Sequence, residues 1–264
     1  MDRVTPEQEN KLLGVIREAG AKLMELWPGQ FADRSRAQLT ISTKPDGSSV
    51  TNADLLSNSL IVTELHKLFP TDGIYSEEIK PEAGLSSMRR AWIIDPLDGT
   101  SLFIEGKKDF AVLMALCVQA RIEFGVMYFP AHNLLLRANR GMGSFANDIP
   151  LRVSEARQFR DNSVRVRGIQ NPDAHYFLDK ADESGPSMLR LSKGEYDGVI
   201  LRTGKLGEWD IAAPTIIVEE AGGMVSDERG NRILFNQPSI NYKFFVASNG
   251  FLHEQLLAII PRDA

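Results

Sequence analysis

Two carboxylates three residues apart, Asp95 and Asp98, stand in the segment Trp92-Ile93-Ile94-Asp95-Pro96-Leu97-Asp98-Gly99-Thr100-Ser101. A β-type run delivers the first, and a turn stiffened by Pro96 delivers the second, so that both can aim at one point. The Leu97 carbonyl between them can face the same point, and hard oxygen donors of this kind suit Mg²⁺. Gly99, Thr100 and Ser101 follow with backbone N–H groups, and a helix starting there adds its positive end to make an anion site. A divalent cation beside a phosphate is the chemistry this pattern supports, although Asp-Gly standing alone signals only a turn. Further acids fall at element ends. Glu77 and Glu78 close the preceding β-type run, Asp54 opens a helix, and Asp210 opens another at Trp209-Asp210-Ile211-Ala212-Ala213. Acids so placed fit a two-cation phosphoester site, in which ions ~3.5–4 Å apart stabilise the attacking and leaving oxygens. Each outlying acid also has the simpler reading of a helix cap. Cys117 lies inside the run Phe110 to Val118 and reads as core, so no covalent nucleophile competes.

These residues need elements to hold them. Thr5-Pro6-Glu7-Gln8 supplies an N-cap, a first-turn proline and a capping-box glutamine, and the spacing of Leu12, Ile16, Leu23 and Leu26 predicts a helix over 6–26. Residues 39–52 read as a loop or weak hairpin. A second helix starts near Thr51, with Asp54 three residues on, Leu55, Ile61, Leu65 and Leu68 as its buried face, and Pro70 as its stop. The runs 73–76, 91–95, 110–118, 122–129 and 133–139 are β-type and form a sheet region. The polar stretch 154–163 marks the boundary between an N-terminal α+β lobe, residues 1–153, and a C-terminal α/β lobe, residues 154–264. In the second lobe Val164 and Val166 begin a strand, and 211–221 is a helix closed by Gly222-Gly223. There 244–248 is a strand, and 250–260 is a terminal helix capped by Asn249. Helices, then strands, then a mixture predict layered sheets and helices rather than one doubly wound sheet.

Composition removes several classes. The chain has 264 residues, 43% of them hydrophobic, and a formal net charge of −5, enough for a large core without staples. The acidity argues against a nucleic-acid polymer as partner, which selects a basic stripe. The longest apolar run is half of a membrane span, and the start Met1-Asp2-Arg3 lacks a signal peptide's apolar core, so a cytoplasmic protein is expected. One cysteine and four dispersed histidines, His66, His132, His175 and His253, leave no zinc cluster in the sequence. Either a monomer or a homodimer is compatible with the chain.

Ser76-Glu77-Glu78, then WIIDPLDGT from Trp92 to Thr100, then WDIAA from Trp209 to Ala213 with Glu220-Ala221-Gly222-Gly223 after it, resembles the inositol monophosphatase family in motif and in order. The resemblance runs from the first helix to the last. It implies the layered αβαβα sandwich of the inositol monophosphatase and fructose-1,6-bisphosphatase type, and a Mg²⁺-dependent, lithium-sensitive phosphatase with two or three ions per site. It makes Glu77, Asp95 and the Leu97 carbonyl ligands of a first Mg²⁺, and places Asp95, Asp98 and Asp210 around a second. Thr100 paired with Asp54 matches the family's threonine and aspartate that position and deprotonate the attacking water. Gly99, Thr100 and Ser101 would hold phosphate, with Lys44, Arg202 and Glu208 as further substrate contacts. Glu78 is either a partner of the ligands or a solvated neighbour.

The metal motifs do not separate the family's branches. Lys44-Pro45-Asp46-Gly47-Ser48-Ser49-Val50-Thr51-Asn52-Ala53-Asp54 is similar to the loop KxDGSPVTxAD of 3'(2'),5'-bisphosphate nucleotidases. Phe103-Ile104, and Arg202-Thr203-Gly204 leading to Glu208-Trp209-Asp210, are similar to the same branch. Hydrolysis of 3'-phosphoadenosine 5'-phosphate to AMP and phosphate is therefore the first expectation, with an inositol-1-phosphatase or related sugar phosphatase as the alternative. A non-catalytic metal or nucleotide sensor is a third reading, for which ligands would have degenerated. The chain departs from the family pattern at Ser101-Leu102 and at Pro214, a proline tolerable in a helix's first turn. Ser184-Gly185-Pro186-Ser187 is the nearest counterpart of the Gly-Ser segment before the substrate-side helix. Arg165 and Arg167 alternate on a predicted strand, where they are solvated surface arginines or reach a second phosphate.

Overall fold

Thr5 caps the first helix as its sequence demands: its Oγ1 accepts from the Gln8 N–H at 3.2 Å, and Gln8 Oε1 accepts from the Thr5 N–H at 2.9 Å. The helix, α1, spans Pro6–Leu26. The computed structural model describes residues 3–33, 38–45, 47–79, 84–169, 176–178 and 184–261, so Asp46 and His175 lie outside the described residues. The 39–52 region is a hairpin of β1 (Ile41–Thr43) and β2 (Ser49–Thr51), which runs directly into α2 (Asn52–Leu68).

A seven-stranded sheet follows: β3 (Gly73–Ser76), β4 (Arg90–Asp98), β5 (Ala111–Val118), β6 (Arg121–Phe129), β7 (Leu134–Asn139), β8 (Ser144–Ala146) and β9 (Ile149–Pro150), in sequence order. Only the β3–β4 pair is parallel. A short helix, α3 (Thr100–Ile104), leaves the end of β4. The second sheet has the order β11-β10-β12-β14-β13, built from β10 (Val164–Arg167), β11 (Phe177–Leu178), β12 (Gly198–Arg202), β13 (Met224–Asp227) and β14 (Phe244–Ser248). Three helices accompany it: α4 (Ser184–Ser192), α5 (Glu208–Glu220) and α6 (His253–Ile259).

The period of two along the strands sorts their side chains into layers. Trp92, Ile94, Val112, Met114, Phe124 and Val126 pack with Leu12, Ile16, Leu23, Ile61 and Leu65 of α1 and α2. Ile93, Leu113, Ala115, Cys117 and Met127, from the opposite face, join Met188, Ile211, Ile216 and Ile217 of α4 and α5, and on the far side Val199, Leu201 and Phe245 of the second sheet. Val164, Val166, Ile200 and Val246 face outward onto Leu256 of α6. The result is the expected αβαβα sandwich. Cys117 is core, 1% exposed, and burial pushes its thiol up to about 12.

Several expected boundaries move. Leu55 of α2 is 52% exposed, and the buried stripe is Ala53, Asp54, Ser57, Asn58, Ile61 and Leu65, because the helix turns its polar residues toward β4. α5 begins at Glu208, three residues before the expected start, because Asp210 Oδ2 accepts from the Gly207 N–H at 2.6 Å. Pro214 therefore sits in the second turn, not the first, where its missing N–H removes one i→i−4 bond from the helix. α6 starts at His253; Asn249 caps the turn before it, accepting from the Leu252 N–H at 3.1 Å.

Candidate active site

Asp95 and Asp98 lie three positions apart, an odd offset that puts side chains of a regular strand on opposite faces. β4 solves this with a bulge. Asp95 pairs with Leu113 and Asp98 with Ala111, so three steps on β4 match two on β5, and the extra residue returns both carboxylates to one side. This corrects the expected geometry: Asp98 ends the strand rather than sitting in a turn beyond it. The Leu97 N–H donates to Asp95 Oδ1 at 2.9 Å, and Ser57 Oγ of α2 donates to the Pro96 carbonyl at 2.8 Å, which fixes the bulge from both sides. Gly99 then adopts φ +82, the left-handed conformation that turns the chain into α3 with Thr100 as its first residue.

α2 brings Asp54. Its Oδ2 accepts from the Thr51 N–H at 2.8 Å and from Thr51 Oγ1 at 2.6 Å, closing a capping box, and its Oδ1 lies 3.1 Å from Thr100 Oγ1. The same Thr100 hydroxyl is 3.1 Å from the Leu97 carbonyl. Burial raises the Asp54 pKa despite the Thr51 and Thr100 hydrogen bonds that oppose it. α5 brings Asp210 with one oxygen spent on the Gly207 cap. Asp95, Asp98 and Asp210 each offer an oxygen within 4.8 Å of the others.

The Ser184-Gly185 segment starts α4 against Asp98: Ser184 Oγ donates to Oδ1 at 3.3 Å and the Gly185 N–H to Oδ2 at 3.2 Å. A Cβ on Gly185 would lie 2.2 Å from Asp98 Oδ2, so only glycine permits this approach. Glu77, Asp95, Leu97, Asp98, Gly99, Thr100, Ser101 and Asp210 line one cleft of about 700 Å³, opposite Ser48 and Ser49 of the β1–β2 hairpin.

Other expected contacts fall elsewhere. Lys44 Nζ lies 2.7 Å from Glu77 Oε1 and 2.7 Å from Glu78 Oε1, so it neutralises two acids instead of lining the cleft. Those two partners hold its pKa above the ordinary lysine value, although burial acts the other way. Glu78, 5% exposed at its side chain, is thus no solvated neighbour. Glu208 is buried and turned away, accepting from the Asn236 N–H at 2.6 Å and the Gln237 N–H at 3.2 Å; a helix N1 acid meets nearby backbone donors more readily than a distant ligand. Arg202 is exposed and does not line the cleft. Neither Arg165 nor Arg167 is a solvated surface arginine: Arg165 is 3% exposed, and Arg167 lines the cleft. Sequence reasoning missed Ser57 and Asn58, the latter accepting from Ser76 Oγ at 2.7 Å next to Glu77. The signal was their position on the stripe of Asp54, polar residues where α2 should be apolar.

Asp95 is 1% exposed, and burial together with the negative charges of Glu77, Asp98 and Asp210 raises its pKa well above the usual carboxylate value. Like charges at this density call for a cation, and a donor set made only of carboxylate and carbonyl oxygens fits a hard divalent ion such as Mg²⁺. A layered sandwich with a hard-oxygen cluster at its centre and a hydrogen-bonded aspartate–threonine pair at its edge suits the hydrolysis of a phosphoester. Residues 8–262 match the sequence profile of the Inositol monophosphatase family. The chain is 33% identical over 240 residues to a histidinol-phosphatase of Chlorobaculum parvum, covering 85% of this chain and 88% of that one. It is 33% identical over 266 residues to an inositol-1-monophosphatase of Mesorhizobium japonicum, covering 95% and 96%. The solved Thermotoga maritima IMPase superposes with a TM-score of 0.79 at 28% identity, over 96% of each chain. The protein belongs to the inositol monophosphatase family, whose members are hydrolases of phosphoric monoesters.

Proposed function

We propose that the protein is a Mg²⁺-dependent phosphomonoesterase that hydrolyses a small phosphorylated molecule with water as the nucleophile. Glu77, Asp95, the Leu97 carbonyl, Asp98 and Asp210 would hold two or three ions, which when bound neutralise phosphoryl charge and ease the deprotonation of water. Gly99, Thr100 and Ser101 bind the phosphate through their N–H groups. The Thr100 oxygen accepts a hydrogen bond from the attacking water while its own proton points to Asp54. As the water attacks phosphorus the ester P–O bond breaks; the water's proton passes to Thr100 Oγ1 and the Thr100 proton to Asp54 Oδ1, while the leaving alkoxide takes a proton from solvent water and departs as the alcohol. Burial raises the Asp54 pKa, which makes its carboxylate a better proton acceptor than an exposed aspartate. The observation that carries the reading is the Thr100 hydroxyl, 3.1 Å from both Asp54 Oδ1 and the Leu97 carbonyl, at the edge of the acidic cluster.

For the substrate, the 44–54 loop and the Arg202 to Asp210 wording support a 3'(2'),5'-bisphosphate nucleotidase acting on 3'-phosphoadenosine 5'-phosphate. An inositol phosphatase is the second reading, favoured by the Mesorhizobium japonicum relative. Phosphate release from 3'-phosphoadenosine 5'-phosphate, inositol 1-phosphate, histidinol phosphate and fructose 1,6-bisphosphate would be measured with Mg²⁺, with EDTA and with added Li⁺. Preference for the inositol ester removes the nucleotidase reading. Activity that survives EDTA or Asp95→Asn removes the metal mechanism.

A further inference from the structure

On β10, Val164 and Val166 pack outward beneath α6, so Arg165 and Arg167 project from the opposite face, toward the middle helices. Arg165 is buried there, donating from Nη1 to the Val166 carbonyl at 2.7 Å. Arg167, at the end of the strand, is half-buried and lines the cleft with Asp98, Thr100, Ser101 and Asp210. It is the one cationic side chain among the described residues of that lining. Its backbone belongs to the β10–β12 ladder, opposite Leu201, while its side chain makes no hydrogen bond or ion pair with any described residue. Four carboxylates line the same cleft, yet no described carboxylate comes within 4.0 Å of its guanidinium.

A guanidinium drawn partly out of water with no partner among the described residues costs free energy, and its planar fork matches two phosphate oxygens at once. Arg167 stands clear of the acids, so it remains available when cations occupy them. We propose that Arg167 binds a second phosphate of the substrate, and that the site prefers small bisphosphorylated molecules, with one phosphate at the acidic cluster and the other on Arg167. The inference rests on the phosphomonoesterase reading above and adds the residue that selects among its substrates. It covers nucleoside and sugar bisphosphates alike, since the shared chemistry is a second phosphate at a distance from the first.

Two matched pairs separate these sources: adenosine 3',5'-bisphosphate against adenosine 3'-phosphate, and fructose 1,6-bisphosphate against fructose 1-phosphate. For wild type, KM for the bisphosphate in at least one pair should be ~10- to 100-fold below that of its monophosphate, the discrimination expected from one charge-assisted contact. Arg167→Ala and Arg167→Gln should erase that difference by raising the bisphosphate KM alone, with kcat little changed, and Arg167→Lys should restore part of it. Equal KM values within both wild-type pairs, or variants that shift both members of a pair alike, overturn the proposal. Melting temperatures of the variants should match wild type, because Arg167 holds no described residue in place. Calorimetric titration with each bisphosphate in Mg²⁺ runs in parallel. Arg167-dependent binding without turnover removes the phosphatase reading and keeps this one, whereas turnover without Arg167-dependent selectivity does the reverse.

Discussion

Asp54 and Asp210 each do two jobs because a carboxylate has two oxygens. One oxygen closes a helix N-terminus, and the other is left for chemistry: Asp54 Oδ1 meets Thr100, and Asp210 joins Asp95 and Asp98. A helix cap and a carboxylate oxygen facing the cleft, alternatives in the sequence, are compatible in space. Asp54→Asn keeps an acceptor for Thr51 but loses the proton acceptor, so kcat should fall by ~10²–10⁴ with the melting temperature almost unchanged. Lys44 is a different case, since its ammonium occupies Glu77 where a divalent cation would compete. Lys44→Met should lower the melting temperature in EDTA by leaving Glu77 and Glu78 unneutralised, and should tighten Mg²⁺ binding by about threefold to tenfold in calorimetry. Weaker Mg²⁺ binding in that variant would make Lys44 a support for the site rather than a competitor.

Elements place these residues by a few close contacts. The β4 bulge turns two carboxylates to one side, and α4 reaches Asp98 only because Gly185 has no side chain. Gly185→Ala should push Asp98 aside, cutting Mg²⁺ affinity and kcat/KM at least ~10-fold while the circular dichroism spectrum stays unchanged. At the outer layer, His253 ties α6 to the second sheet through Ser226 and Ser248, each at 2.8 Å. Ser226 spends its proton on the Asp227 carbonyl, so Nε2 carries the histidine proton and Nδ1 accepts from Ser248. Burial lowers the His253 pKa below its ordinary 6.5. On acidification the unfolded chain takes up this proton first, so its stabilising share is full above pH 6.5 and is lost as pH falls toward the folded value. Stability should decline by up to about 1.4 kcal/mol per pH unit in that window. His253→Gln should flatten the decline, as read by denaturant titration at several pH values.

At the scale of the molecule, the site draws on three layers: β4 from the first sheet, α2 from the outer helices, and α4 and α5 from the middle ones. Cation binding should therefore stabilise the whole fold, by ~2.7 kcal/mol at an ion concentration 100 times Kd. Asp95→Asn relieves the crowding of buried like charges, so in EDTA its melting temperature should rise above wild type. With saturating Mg²⁺ the order should reverse, because on the proposed assignment the variant lacks one of the carboxylates that hold the cation. A variant that still gains the full increment from Mg²⁺ would remove Asp95 from the metal site. No described helix is long and apolar enough to cross a membrane.

The sequence by itself determined what is local. The capping boxes at Thr5 and Thr51, the strand periods, the Asp95–Asp98 pair and the start of a helix after Gly99 depend on neighbours within a few residues, and each was legible. Only the tertiary structure decided which acids meet. Asp54 and Thr100 are 46 residues apart, and Ser184 lies 86 residues from Asp98. It also decided which polar residues are turned from water: Lys44 onto Glu77, Glu208 onto the Asn236 backbone, and Arg167 into the cleft. Residue type states what a side chain can do, but burial and charge at a point are sums over all layers. No spacing along one segment contains that sum.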